Sequence, residues 1–217
     1  SLPTERRSSE TPTVRGHAHH LLVSVATTVA AMFAAIKGAK TTKNLEYYSF
    51  EDIESGGEHL GDLLIAKQQE GVVVNVIYDG YGSAATPSAF FERLKNAGIN
   101  IVDFNPVNPL NPVSLNNRDH RKMLVVDGES AIVGGINLST TYQSSGSGGS
   151  GGGGTDQHRR DTDLQIDGPV VAQLQTLFLA HWSQQKGPPL EHAKYFPTIA
   201  PRGSEVVRIN GSATGKD

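Results

Sequence analysis

The feature that most limits the fold of this chain is an alternation of two hydrophobic periods between residues 21 and 104. Leu21 to Val25 reads as a strand, and Val29, Met32, Phe33 and Ile36 then recur at i, i+3, i+4 and i+7, the spacing of one helical face. Leu45 to Phe50 (LEYYSF) is aromatic-rich and predicts a strand. Leu60, Leu63 and Leu64 mark a helix that Gly71 can end, and Val72 to Tyr78 predicts the next strand. Thr86 and Pro87 predict an N-cap and a first helical position for a helix that turns Phe90, Phe91 and Leu94 inward. Gly98 closes it before a strand from Ile99 to Phe104. Strands separated by helices build a parallel or mixed sheet with helices on both faces, and sites on such sheets lie in the loops beyond the strand ends.

At 217 residues the chain can bury a full core and suggests one domain or a little more. It has no cysteine, which excludes disulfides, thiolate catalysis and cysteine-based zinc sites. His17, His19 and His20 stand together beside a polar start, and their spacing predicts a solvated cluster, so no metal and no cofactor is expected. Residues 1–19 are expected to form a disordered tail, and the opening SLPTERRSSETPTVRG has no apolar core of the kind a signal peptide needs. The apolar run from Leu21 to Ile36 is about 16 residues, short of the 18 to 20 that span a bilayer, and Ser24, Thr27 and Thr28 interrupt it. A net charge of -3 supplies no global field for nucleic acid, though basic clusters occur at Arg118 to Lys122 and at His158 to Arg160.

Three Asn-Pro steps between Asn105 and Asn117 forbid helix and predict a rigid extended loop. Lys122 to Val126 and Ala131 to Val133 form a hairpin around the Asp127-Gly128 turn signal. Residues 144–154 are only Ser and Gly and predict a flexible coil, either a neutral insertion or a flap over a site. Leu164 to Asp167 predicts a strand. Pro169 then starts a helix with Val171, Leu174, Leu177, Phe178 and Trp182 inward, and the domain is expected to span 20–186. Residues 187–217 read as a proline-containing tail, or as the start of a second repeat through the strand-like EVVRINGS.

The chemistry is concentrated in Asn117 to Leu138, NRDHRKMLVVDGESAIVGGINL. His120, Lys122 and Asp127 form a His-x-Lys-x4-Asp pattern, followed by Gly134, Gly135 and Asn137. On a strand, alternation puts His120 and Lys122 on one side. An imidazole can attack phosphorus or protonate a leaving oxygen while an ammonium holds phosphoryl oxygens, a pairing suited to a phosphodiester. Asn137 adds a neutral donor.

On these residues the sequence resembles the phospholipase D superfamily, whose signature is His-x-Lys-x4-Asp-x6-Gly-Ser-x-Asn; Gly135 stands where most members carry Ser. With LEYYSFEDI, YDGYGS, FNPVNP and the RDT-containing strand and helix, the likeness is to the amino-terminal half of bacterial cardiolipin synthases and covers about residues 20 to 186. It implies a phospholipase D-like α-β-α sandwich with a mixed, largely parallel central sheet, forming one half of a pseudo-two-fold pair. It also implies an enzyme, a phospholipase D-like phosphodiesterase or phosphatidyltransferase. The implied catalytic set is His120, Lys122, Asp127 and Asp161: His120 as nucleophile, Asp161 of the RDT step orienting the imidazole, and Asp127 capping the turn. Lys122, Asn137 and the Gly135 position bind the phosphate. Where many relatives have His after RDT, this chain has Asp163.

That chemistry needs two histidines, and the chain carries one signature. His192-Ala193-Lys194 has the His-x-Lys spacing without the following Asp and reads as chance. The second half comes either from the carboxy-terminal part of a longer protein, the favoured expectation given the start without Met and the strand-like end, or from a homodimer. The substrate is expected to be a phospholipid met peripherally at a bacterial membrane. A superfamily nuclease acting as a homodimer, and a non-catalytic half that needs a partner, are the alternatives.

Overall fold

The computed structural model describes residues 13–104, 122–134, 163–197 and 205–208, with backbone alone for 13–19, 192–193 and 205–208. The order is β1 (Thr13–Leu22), α1 (Val25–Gly38), β2 (Thr42–Tyr47), a two-residue hairpin β3 (Glu54–Ser55) and β4 (Glu58–His59), α2 (Leu60–Gln69), β5 (Val73–Asp79), α3 (Ser88–Asn96), β6 (Asn100–Phe104), β7 (Lys122–Val126), β8 (Ser130–Gly134), β9 (Asp163–Asp167), α4 (Val171–Gln184), a 3-10 turn (His192–Tyr195) and β10 (Glu205–Arg208). Eight strands form one sheet in the order β10-β1-β9-β8-β7-β2-β5-β6.

Two cores lie on opposite faces of that sheet. On one face α1 contributes Val29, Met32, Phe33 and Ile36, all buried as their spacing predicts, and packs with Leu60, Leu64, Phe90, Phe91 and Leu94 over Leu45, Val76 and Leu124. On the other, α4 sets Val171, Leu174, Phe178 and Trp182 against Ile77, Met123 and Val125. Strand β2 is buried at all six positions, which is why TKNLEY does not alternate in polarity: each face meets a helix layer. Ser24 caps α1 by accepting from the Thr27 N–H at 3.1 Å. Gly71 and Gly98, at φ +89° and +90°, end α2 and α3 in the left-handed conformation.

The structure corrects several expectations. The sheet is mixed but not largely parallel: β2–β5 and β5–β6 are parallel, while β1–β10, β1–β9, β2–β7, β7–β8 and β8–β9 are antiparallel. Of the strands that neighbour each other in the sheet, only β2–β5 and β5–β6 are linked in sequence through helices, α2 and α3, and a tight turn such as Asp127-Gly128, at φ 54° and 64°, can join only antiparallel neighbours. The tail expected over residues 1–19 gives way to a strand at Thr13. β1 lies between β10 and β9, and backbone ladders on both sides order a polar segment that has no hydrophobic pattern to announce it. Glu205–Arg208 is a strand, and it extends this same sheet at its edge. Thr86 does not cap α3; its hydroxyl donates to the Phe50 carbonyl at 2.7 Å and ties the α3 approach to the end of the β2 segment. The Asn-Pro loop 105–117 and the Ser/Gly segment 144–154 lie outside the described residues.

Candidate active site

Five strand ends meet in one row. Tyr47 at the end of β2 is the register partner of Lys122 at the start of β7; Met123 pairs with Val133, Gly134 with Asp163, and Asp163 with Leu22. This is also the end at which the parallel strands β2, β5 and β6 finish, at Tyr47, Asp79 and Phe104. The Asn-Pro loop therefore leaves the sheet and returns at this end, and the segment carrying Gly135, Asn137 and Asp161 does the same. His120, Gly135, Asn137 and Asp161 themselves lie outside the described residues.

Lys122 is half-buried, and strand alternation places it on the face of Leu124 and Val126. No hydrogen bond or ion pair with another described residue engages its ammonium. Asp163, 4 % exposed, fills the space over Gly134: a Cβ at residue 134 would overlap Asp163 Oδ1 and lie 2.8 Å from Asp163 Cα. This close approach, not a special φ, is what residue 134 needs glycine for.

Asp127 is placed elsewhere. Its carboxylate accepts from the backbone N–H groups of Lys40 (3.0 Å), Thr41 (2.7 Å) and Thr42 (3.1 Å) and from the Thr41 hydroxyl (3.0 Å). Its own N–H donates to the Thr42 carbonyl at 2.8 Å. It stands at the far end of β7, about 16 Å of strand from Lys122, and anchors the start of β2. The His192-Ala193-Lys194 segment is also at that far end. Lys194 pairs with Glu191 at 3.1 Å, and the Tyr195 carbonyl covers Gly128, where a Cβ would come within 2.5 Å of it.

The loops beyond β2 and β5 pack on one another. Asp79 Oδ1 accepts from the N–H groups of Tyr81 (2.9 Å) and Gly82 (3.0 Å), folding DGYG into a turn, and Gly82 lies so close beneath Tyr48 that a Cβ would overlap the Tyr48 carbonyl. Ser83 Oγ donates to the same carbonyl at 3.2 Å and accepts from the Phe50 N–H at 3.0 Å. The LEYYSF and YDGYGS segments thus form one wall of the strand-end surface.

A family model described as the PLD-like domain of cardiolipin synthase matches residues 32–182. The chain belongs to that family. Cardiolipin synthase 2 of Bacillus cereus is 34% identical over 191 residues, covering 88% of this chain and 36% of the relative. Cardiolipin synthase A of Pseudomonas syringae is 35% identical over 189 residues, covering 86% and 38%. The chain thus spans a little over a third of the length of these curated relatives. In fold it is similar to Nuc of Salmonella typhimurium, a phospholipase D family member, with TM-score 0.55 at 20% identity over 79% of this chain and 97% of that one. It is also similar to the phosphatidylserine synthase of Haemophilus influenzae, with TM-score 0.53 at 18% identity over 75% and 36%.

Two features of this cardiolipin synthase PLD-like domain had no signal in the sequence. The first is Asp163 leaning over Gly134, visible only once the register sets the two side by side. The second is a buried pair on the α4 face, Glu46 with His181, whose Oε1 and Nδ1 are 2.6 Å apart. Glu46 is wholly buried and the His181 ring lies 5.8 Å from that of Phe104, so the pair fastens α4 to the ends of β2 and β6. Tyrosines nearby stay protonated. Burial, with the charge of Asp163 adding to it, holds the Tyr47 phenol well above its ordinary value, and its hydroxyl donates to Met32 Sδ at 3.7 Å. Tyr78, stacked on Phe91 at 4.1 Å, is pushed up to about 12 by burial and by Asp103. Among the described residues no group of His, Asp and Glu could hold a metal ion, and no helix is long and apolar enough to cross a membrane.

Proposed function

We propose that this chain supplies one half of a phospholipase D-type active site that transfers or hydrolyses the phosphatidyl group of glycerophospholipids. The observation that carries this reading is the convergence of strand ends. Lys122 opens β7, Gly134 closes β8 and Asp163 opens β9 at one end of the sheet's strands, so the segments bearing His120, Asn137 and Asp161 all join the sheet there. His120 and Asp161 are each two residues from a described strand, a reach of at most about 7 Å. The Lys122 ammonium, unengaged by other described residues, supports its role in holding an anion. Membership in the cardiolipin synthase PLD-like family supplies the substrate class.

In this reading an imidazole nitrogen of His120 attacks phosphorus. The bond to the leaving alcohol breaks as a second histidine, from another half, gives that oxygen a proton. The same second histidine then takes the proton of an incoming hydroxyl, whose oxygen displaces His120 and restores the free imidazole. Lys122 and Asn137 hold the phosphoryl oxygens as charge builds on them. Asp161 accepts the other imidazole N–H, setting the tautomer and stabilising the positive ring. At Gly135 only backbone can contribute, because the hydroxyl of the Ser found in most of the superfamily is absent. Contact with the lipid surface is peripheral.

His120→Ala in the complete assembly abolishes phosphatidyl transfer from phosphatidylglycerol vesicles while leaving the thermal midpoint unchanged. Retained transfer refutes the assignment. Plasmid cleavage without lipid turnover, weakening steeply with salt, assigns the same chemistry to nucleic acid instead.

A further inference from the structure

Two of the connections that meet at the strand-end row share a pattern that phosphoryl chemistry does not require. Leu22, the last residue of β1, stands in the row opposite Asp163, and Val23 is the next residue outward; Tyr81 lies two residues beyond Asp79, where β5 finishes. Four large apolar side chains are exposed among the described residues, and three of them, Leu21 (64%), Val23 (73%) and Tyr81 (52%), are at this end. The stretches that carry them, 21–36 and 80–91, contain no Asp, Glu, Lys, Arg or His. The helix ends and turns at the other end of the sheet carry Lys37, Lys40, Glu70, Asp127 and Glu129. At the Tyr81 end the loop after β2 does hold Glu51 and Asp52, but both are partly buried, and Asp52 turns to α2 and α3, accepting from the Gly61 N–H at 2.8 Å with Arg93 at 3.9 Å.

Polar groups in both stretches are paired within the protein. At the start of α1, Ser24 Oγ accepts from the Thr27 N–H at 3.1 Å and donates to Thr27 Oγ1 at 2.7 Å. Beyond β5, the Asp79 carboxylate takes the N–H groups of Tyr81 and Gly82, and its carbonyl accepts from the Ser83 N–H at 2.9 Å. The Ala84 N–H donates to the Tyr81 carbonyl at 3.2 Å and the Thr86 N–H to that of Ser83 at 3.0 Å. A loop in water has no need of such closure, and a partner protein can supply missing partners, whereas lipid chains supply none.

We propose that Leu21 with Val23, on one side, and Tyr81, on the other, are two footholds that sink into the interfacial layer of a phospholipid surface and bring the strand-end row down onto it. This rests on the reading above in taking a phospholipid as the substrate whose phosphate Lys122 holds. In the sheet order β7 lies three strand spacings from β1 and two from β5, so the strand of Lys122 runs about 14 Å from one foothold and about 10 Å from the other. A phosphate at headgroup depth between them meets Lys122 without leaving the lipid surface. Tyrosine suits that depth, with an apolar ring and a polar tip. Neither foothold brings a cation, so attachment comes from apolar burial and not from lipid charge.

The chain has no cysteine, so a single introduced cysteine takes a polarity-sensitive fluorophore without background. Val23→Cys and Tyr81→Cys report the footholds. Phe196→Cys is the control: Phe196 is the fourth exposed apolar residue and stands at the far end, between Tyr195 and Pro197, which pack on Gly128. In the complete assembly, phosphatidylcholine vesicles are expected to shift the labels at 23 and 81 to shorter wavelength and to leave the label at 196 in place, equally at low and high salt. Equal shifts at all three positions, no shift at 23 and 81, or shifts that vanish in high salt overturn the proposal. So do labels at 23 and 81 that are already dry before vesicles are added, which assigns the surface to a protein partner. Co-sedimentation with the same vesicles weakens about tenfold in Val23→Glu and in Tyr81→Glu, and about a hundredfold when both are changed; undiminished co-sedimentation of the double variant also overturns it. Vesicle binding needs no turnover, so the two readings fail separately. Label shifts without turnover of any lipid retain the footholds and refute the enzymatic reading, whereas lipid turnover without label shifts refutes the footholds alone.

Discussion

The two ends of the central sheet are built on opposite principles. At the end where β2 begins and β7 finishes, side chains close the structure: Asp127 gathers three backbone N–H groups and a hydroxyl, and the Tyr195 carbonyl covers Gly128. A ladder of amides runs inward from there, Asn100 donating to Asn75 and Asn75 to Asn44, each at 2.8 Å, with Asn44 donating to Gln175 at 2.7 Å. Tyr195 fastens the last 3-10 turn to it through Asn75 and Gln175. At the other end, glycines at 80, 82 and 134 give up their side-chain volume to Asp103, Tyr48 and Asp163, and Lys122 stands open. A polar group at the closed end, such as Asp127, holds the fold together, while at the other end Lys122 has the proposed binding role, although both residues fall inside the same short signature.

The sharpest break of that division is Asp127→Ala. Losing an ionised acceptor of four hydrogen bonds is expected to lower unfolding free energy by about 3 to 4 kcal/mol, read by urea denaturation. The protein that remains folded keeps its turnover in the complete assembly. A large fall in turnover at unchanged stability would move Asp127 to the catalytic end.

Gly134→Ala comes next. Its added methyl collides with Asp163, so a loss of about 2 to 3 kcal/mol is expected. Combining it with Asp163→Gly recovers part of that loss, because the Asp163 carboxylate is the first group the methyl meets. Strict additivity of the two changes in denaturation would mean that the clash is not the reason for glycine.

The smallest effect concerns a group at the closed end that breaks its own rule. Lys43 is wholly buried, its Nζ has no hydrogen-bond partner among the described residues, and burial, with the Lys67 charge adding to it, lowers its pKa from 10.5 to about 7. Between those values the unfolded chain binds a proton that the folded one does not, so Lys43 makes stability rise with pH from about 7 to 10.5. Lys43→Met is expected to stabilise the protein by about 1 to 2 kcal/mol at pH 7, less than the full shift implies because a buried amine can shift toward Asp127 and Glu70. It also flattens the rise. A difference between Lys43→Met and the unaltered protein that does not change with pH would refute this.

Much of the fold was legible because apolar periodicity is local. The α1 stripe, the inward face of α3, the Asp127-Gly128 hairpin and the glycine ends of α2 and α3 come out as read, and so does the α4 face except that Leu179 is buried in place of Leu177. The strand at Thr13 was not legible, because its order derives from partners on both sides and not from its own side chains. Nor was the direction of most strand pairs, which depends on how connections without helices return. Of the proposed site, the structure describes only Lys122 at this end of the sheet; His120, Gly135, Asn137 and Asp161 lie outside the described residues, and their roles rest on the resemblance.

The sequence alone determined the family, the two-layered helix packing and a motif suited to phosphodiesters, since these depend on residue type and spacing along one strand or helix. Tertiary structure alone decided that Asp127 and Lys122, five residues apart, serve opposite ends of the sheet. It also decided that Gly134 and Asp163, far apart in the chain, share one small volume. Register across strands sets both outcomes, and register is a property of pairing that no single segment contains.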